Sequence, residues 1–348
     1  MNRAGYLDTV GMWDATAGAP EQALAAMAHA GDVLEGAVLP SFDDIRSVVV
    51  LGTGTSATAA ELVSAHGAAH ASIPIVVGSG YAAPSFVGPH TLAFALSFGG
   101  DTEETCAAAT AAVERGAHMV IVSGGGELAS MATASDLTLF GVPTDLPAAR
   151  TALGSLAIPV LLTLSRVGII PDVGPSLGAA LSLLQPRRDA LLVPGAPAEE
   201  VARHIGRTIP LVYGSTGVMA VAARRWKTQI NENAKTPAFF AVQPELSHNE
   251  VAGWGQHGDV TRQVLSLVTL RHGGEHPQVA RRFDLVVEAT DEVMANVIPV
   301  WAEGDDDLAR FFDLALFGDF MSLHMAGREG IDPGPVPALS DVESALRG

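Results

Sequence analysis

The chain of 348 residues exceeds the roughly 100–200 residues of one domain, and its 48% hydrophobic and 17% charged residues are those of a globular protein with material for two buried sheets. A formal net charge of −18 excludes nucleic-acid and anionic-membrane binding through basic patches, although a small anion held by local donors remains possible under screening. Cys106 is the single cysteine, which excludes an intrachain disulfide and CxxC metal or redox motifs. The opening MNRAGYLDTV has no apolar signal core, and the stretch from Ala152 to Leu164 is shorter than the ~20 residues of a membrane span, so a soluble cytoplasmic protein is expected.

Between Ser47 and Phe140 short apolar runs recur as SVVVLG, IPIVVG, TLAFALS, HMVIVSG and DLTLFGV, separated by alanine-rich helical segments. Continuous rather than alternating apolar residues predict strands buried on both faces, hence a parallel sheet between helices. From Arg150 to Arg203 two apolar helical pieces flank GIIPDVGPS and end in the proline-rich VPGAPAEE, which reads as a connection. The strand rhythm resumes with IPLVYG, AFFAV, VLSLVTL, FDLVVEA and NVIPVWA, followed by a helix near Leu308 to Met325. The expected organisation is an N-terminal α/β half over 1–155, a helical connection over 156–203 and a C-terminal α/β half over 204–348.

Three loops carry candidate chemistry. Gly52-Thr53-Gly54-Thr55-Ser56-Ala57 follows the first strand with small residues that let backbone N–H groups approach a ligand at a helix start. It lacks the full dinucleotide fingerprint, because Ala57 stands where a third glycine belongs and no acidic residue ends the next strand. Ser97-Phe98-Gly99-Gly100-Asp101-Thr102-Glu103-Glu104-Thr105 follows the third strand, where Ser97 and Thr102 offer hydroxyls. Asp101 with Glu104 also forms a D-x-x-E capping pattern that starts an ordinary helix, so both readings of this loop stand. Ser123-Gly124-Gly125-Gly126 is a third open turn.

In the second half, RWKTQINENAK and PELSHNE crowd Asn231, Glu232, Asn233, Lys235 and His248 into one stretch. Together with the three loops, Ala149 to Gly154 and Pro20-Glu21-Gln22, these motifs resemble the sugar isomerase (SIS) domain proteins of the bifunctional phosphoglucose/phosphomannose isomerase family over nearly the whole chain. The resemblance implies two SIS-type, flavodoxin-like αβα subdomains with parallel sheets, dimerised, with the site between subdomains and subunits. It implies a sugar phosphate ligand, no metal and no cofactor. Glu232 then matches the base that moves a proton between C1 and C2. His248 matches the acid/base that opens the sugar ring, supplied across the dimer. Gly54, Thr55, Ser56, Ser97, Gly99, Thr102 and Arg150 match the substrate-binding positions. Glu245 and Glu250 are expected to orient neighbours or cap backbone groups, and Lys235 to pair with Glu232 or its surroundings.

The sequence also departs from the family pattern. The second serine of SYSGNT is Gly99 and its asparagine is Asp101, which removes a hydroxyl and sets a carboxylate where a helix N-terminus favours phosphate. GGS is GTS at Thr55, DPTPV is DPGPV at Gly334, and the closing ALSDVESALRG has no lysine. Three readings follow: a weak isomerase interconverting glucose or mannose 6-phosphate with fructose 6-phosphate, a non-catalytic phosphosugar-binding or regulatory protein, and an isomerase of a less anionic sugar. No helix-turn-helix extension precedes the first half, which argues against a DNA-binding sensor.

Overall fold

A computed structural model describes residues 5–347. In chain order the helices are α1 (Met12–Ala17), α2 (Ala19–Gly36), α3 (Thr55–His70), α4 (Glu103–Glu114), α5 (Gly126–Ala134), α6 (Leu153–Val167) and α7 (Gly174–Leu191). They continue as α8 (Pro197–Ile205), α9 (Val218–Ala234), α10 (Gly258–Val264), α11 (Pro277–Thr290), α12 (Asp307–Arg328) and α13 (Pro337–Arg347). The chain falls into two compact units, one of residues 18–182 with 306–309, the other of residues up to 17, 183–305 and from 310 onward. The stretch 156–203 is therefore divided, with α6 in the first unit and α8 in the second.

The first unit holds a parallel sheet of β1 (Ser47–Leu51), β2 (Ile75–Gly78), β3 (Thr91–Ser97), β4 (His118–Ser123) and β5 (Thr138–Gly141), in the order β2-β1-β3-β4-β5. All residues of β1 and β3 are buried, as their unbroken apolar runs require of strands covered on both faces. The small residues of α3 let it lie close to the sheet, since a Cβ on Gly67 would meet Ile75 Cδ1 at 2.3 Å. The order reverses between β1 and β3, and open α/β sheets bind ligands outside the carboxyl ends of strands at such a switch point.

The second unit repeats the scheme with four parallel strands, β6 (Ile209–Ser215), β7 (Phe239–Gln243), β8 (Leu265–Arg271) and β9 (Asn296–Trp301), ordered β7-β6-β8-β9. FDLVVEA, expected as a strand, lies instead inside α11. Its β-branched residues are overruled by helical spacing, which buries Phe283, Val286 and Thr290 on one face while Leu285 stays exposed. The His276 side chain accepts from the Gln278 N–H and Pro277 opens the helix, a start signal that marks the segment as helical. Among the described residues no helix is long and apolar enough to cross a membrane.

Candidate active site

The first unit carries the loops. Gly54 adopts φ 57° and ψ −124°, a conformation open to glycine, and no side chain caps the start of α3 at Thr55-Ser56. A Cβ on Gly52 would lie 2.8 Å from the Ser56 Cβ, so the turn admits no larger residue there. Parallel pairing of β1 with β3 opens this turn and the Ser97 loop at the same sheet edge. Ser97 Oγ lies 2.8 Å from Thr102 Oγ1 and accepts from the Gly100 N–H at 3.0 Å, so both expected hydroxyls meet. Gly99 has nothing within 4 Å of the place a Cβ would occupy. Arg150 is buried in the short turn Ala149–Thr151, which Gln22 fastens to α2 by donating from Nε2 to the Thr151 carbonyl at 2.8 Å.

Asp101 does not start its own helix, as the D-x-x-E pattern would have it. Helix α4 begins at Glu103 without a side-chain cap. The Asp101 carboxylate reaches instead to α5, where Oδ1 accepts from the Glu127 N–H at 2.9 Å, and a Cβ on Gly126 would strike it at 2.5 Å. The loops after β3 and β4 are further joined by Gly124 N–H to the Phe98 carbonyl and Leu128 N–H to the Gly100 carbonyl, each 3.1 Å. The α5 N-terminus thus already holds an anion. Burial, with Glu127 and Asp101 nearby, pushes the Cys106 thiol up to about 11, and that side chain donates to the Gly100 carbonyl at 3.4 Å. The loop is rigid, and its surroundings are acidic.

The second unit carries Glu232 and His248. Helix α9 is clasped to α12 by polar groups on the face opposite solvent: Arg225 Nε and Nη2 donate to the Asp319 carboxylate at 3.0 and 2.6 Å, and Gln229 Nε2 donates to the same group at 2.6 Å. Asn233 Nδ2 donates to Ser322 Oγ at 2.9 Å, and Trp226 Nε1 to the Leu314 carbonyl at 2.7 Å. Asn231 Nδ2 closes the helix end on the Thr236 carbonyl at 2.8 Å. The amides crowded around Glu232 are therefore fixtures, and Glu232 stands half-buried between two of them. Lys235, in the left-handed region at φ 54°, donates from Nζ to the Glu232 carbonyl and to the Pro333 carbonyl, tying the helix end to the loop before α13.

His248 is exposed at the end of a 3₁₀ turn that follows the cis Gln243-Pro244 bond at the end of β7. The neighbouring acids orient this turn: Glu245 accepts from Asn249 Nδ2 at 2.8 Å, and Glu250 accepts from the Tyr213 hydroxyl. Burial and Glu250 together raise the Tyr213 hydroxyl far above its ordinary value, so it stays protonated and donates to Glu250. Asp319, Ser322 and Tyr213 were not singled out from sequence, because their partners lie 37 to 94 positions away. Among the described residues no cluster of His, Cys, Asp and Glu is arranged to hold a metal ion.

Two family models match the chain: the SIS domain over residues 41–148 and the bacterial phospho-glucose isomerase C-terminal SIS domain over residues 195–346. It is 31% identical to the bifunctional phosphoglucose/phosphomannose isomerase of Caldicellulosiruptor bescii, across 87% of this chain and 90% of that one. A protein of the same description from Aquifex aeolicus is 31% identical over 79% of this chain and 82% of its own length. The fold matches the C-terminal domain of glucosamine-fructose-6-phosphate aminotransferase from Francisella tularensis, with a TM-score of 0.68, 15% identity and coverage of 95% and 99% of the two chains. Paired SIS-type sheets place the chain among the SIS-domain proteins. Among them, this chain belongs to the bifunctional phosphoglucose/phosphomannose isomerase family.

Proposed function

We propose that the protein is an aldose–ketose isomerase interconverting glucose 6-phosphate and mannose 6-phosphate with fructose 6-phosphate, and that it turns over slowly. The observation that carries this reading is the half-buried Glu232 carboxylate on a helix end whose neighbours Gln229 and Asn233 are locked to α12. In the open-chain aldose the Glu232 carboxylate takes the C2 proton, the C–H electron pair forms the C1=C2 bond of an enediol, and O1 gains a proton. Return of the proton from Glu232 to C1, with loss of the O2 proton, gives the ketose. Glucose and mannose differ only in the C2 hydrogen's face, so a base beside a planar enediol serves both. His248 opens the ring by moving the proton between O1 and O5.

Phosphate is held by Ser97, Thr102, the Gly54-Thr55-Ser56 turn and Arg150. The molecule acts as a homodimer in which each chain's exposed His248 serves its partner. This is supported by exposed apolar groups on the edge strand β7, where Phe239 and Phe240 are 57% and 39% exposed, and by the open face Leu339, Val342 and Leu346 of α13. The Asp101 carboxylate on α5 favours, as a second reading, a sugar less anionic than a hexose phosphate. A coupled assay with glucose 6-phosphate, mannose 6-phosphate and their unphosphorylated hexoses tests both. Slow turnover of the phosphates supports the first reading and preference for the free sugars the second. Tight phosphate binding with no turnover identifies a non-catalytic sugar-phosphate binder.

A further inference from the structure

A cavity of about 610 Å³ opens in the second unit, walled by Tyr6, Trp13, Arg188, Glu199 and His324. None of its lining residues belongs to the candidate active site. Three rings form one corner: Trp13 and His324 meet edge-on at 4.8 Å and 84°, Tyr6 and His324 at 6.1 Å and 89°, and Tyr6 and Trp13 at 5.9 Å and 41°. Both ring nitrogens of His324 and the indole Nε1 of Trp13 lack any hydrogen-bond partner, although the two residues are only 6% and 7% exposed. Buried polar atoms are nearly always paired, so three orphans on two residues that line one cavity call for an explanation outside the chain.

The charge around the rings sets the ligand. Asp14, Asp189 and Glu199 line the cavity against the single cation Arg188, whose Nε donates to Asp189 at 2.9 Å and whose Nη1 donates to the Ala17 carbonyl at 3.3 Å. The guanidinium is thus already occupied by Asp189, and an anion also meets the carboxylates of Asp14 and Glu199, the latter accepting from the Gly195 N–H at 2.8 Å. Burial holds the His324 ring down to about 4, so at neutral pH it offers one N–H and one lone pair. An ammonium group fits this setting, because it donates to that lone pair, faces aromatic rings and neutralises the carboxylates. A hydroxyl on the same molecule would accept from the Trp13 N–H. The geometry points to a second ligand site here, for a small hydroxylated primary amine, with Trp13 and His324 as its hydrogen-bonding groups.

The test is calorimetric titration of the whole protein at pH 7.5 with D-glucosamine as probe and D-glucose as its uncharged counterpart. Glucosamine is expected to bind at least 10-fold more tightly than glucose, and the difference should shrink with added salt. Trp13→Phe and His324→Phe, which keep the rings, should each weaken glucosamine binding about 10-fold, and Asp14→Asn about 3-fold. Saturating fructose 6-phosphate should leave glucosamine binding unchanged, which separates this cavity from the proposed catalytic site. Circular dichroism and melting establish that each variant folds, and His324→Phe is expected to melt at or above the wild-type temperature because it removes two orphaned atoms. Equal binding of the two sugars, no binding at 20 mM, or binding indifferent to Trp13→Phe and His324→Phe overturns the assignment and leaves the cavity to water.

Discussion

Restoring the phosphate loop by Gly99→Ser with Asp101→Asn should tighten fructose 6-phosphate binding by about 30-fold. Space for the serine exists, because nothing lies within 4 Å of a Cβ at position 99 and its φ is outside the left-handed region. A hydroxyl donating to a charged phosphate contributes roughly 1.5–3 kcal/mol. Removing the Asp101 charge relieves a repulsion of ~2 kcal/mol at ~7 Å and an effective dielectric of 20, which salt cuts to about 1 kcal/mol. Asparagine can still accept from the Glu127 N–H, now at 2.9 Å from Asp101, while the ~0.5–1 kcal/mol that a carboxylate gains from a helix N-terminus is lost from free and bound protein alike and so lowers stability, not affinity. Taking the low end of the hydroxyl contribution with part of the screened repulsion gives ~2 kcal/mol, or about 30-fold. Calorimetry on both single variants and the double variant reads these contributions separately, with Gly99→Ser expected to supply the larger one. A double variant that binds within 3-fold of wild type while melting normally would show that phosphate does not sit in this loop.

Glu232→Gln should abolish isomerisation while sugar phosphate still binds, since an amide cannot take the C2 proton at neutral pH; a coupled assay beside calorimetry checks both halves of the statement. Asp319→Ala should cost about 3–5 kcal/mol in a denaturant titration, because it strands the buried Arg225 guanidinium and the Gln229 amide together. Sedimentation should give a dimer at micromolar concentration, and mixing inactive His248→Ala with inactive Glu232→Gln chains should recover a fraction of the turnover. A stable monomer, or no recovery on mixing, removes the shared site.

The strands were legible because burial on both faces leaves nothing to alternate: every run from SVVVLG to NVIPVWA forms a strand except FDLVVEA. That exception carries the same residue types, and its spacing of buried positions at 283, 286 and 290 is visible only when the Pro277 start is given weight. The loops were found from their glycines and hydroxyls, and the Ser97–Thr102 contact joins residues only five apart. What sequence did not disclose is long-range pairing. Asp101 carries the composition of a local cap, yet its carboxylate binds a backbone amide 26 residues on. The amides of α9 invite a ligand-binding reading, but most of them answer to Asp319 and Ser322, about 90 positions away. The cavity beside His324 has no local signature at all, for it is assembled from α1, the end of α7, α8 and α12.

His324 also predicts how the protein responds to acid. Burial is the main cause of its depressed affinity for protons; Arg328 adds to it, while Glu199 works the other way. The ring stays neutral in the folded chain down to about 4, whereas in the unfolded chain it titrates at its ordinary value of 6.5. Between these values the unfolded state binds the extra proton, so stability falls as pH falls through this window and is fully retained above it. A difference of about 2.5 units amounts to ~3 kcal/mol at most. The buried Asp313, pushed up to about 6 mainly by burial although Arg187 opposes this, has the opposite dependence over much of the same range. Wild type alone therefore hides both effects, and the informative quantity is a difference. Denaturant titrations of wild type and His324→Phe at pH 7.5, 5.5 and 4 share every other titrating group, so Asp313 cancels. The variant should gain on wild type progressively below pH 6.5, by up to ~3 kcal/mol at pH 4. A constant difference across the three pH values would mean that His324 takes up its proton in the folded chain as readily as in the unfolded one, which the buried, unpartnered ring does not allow.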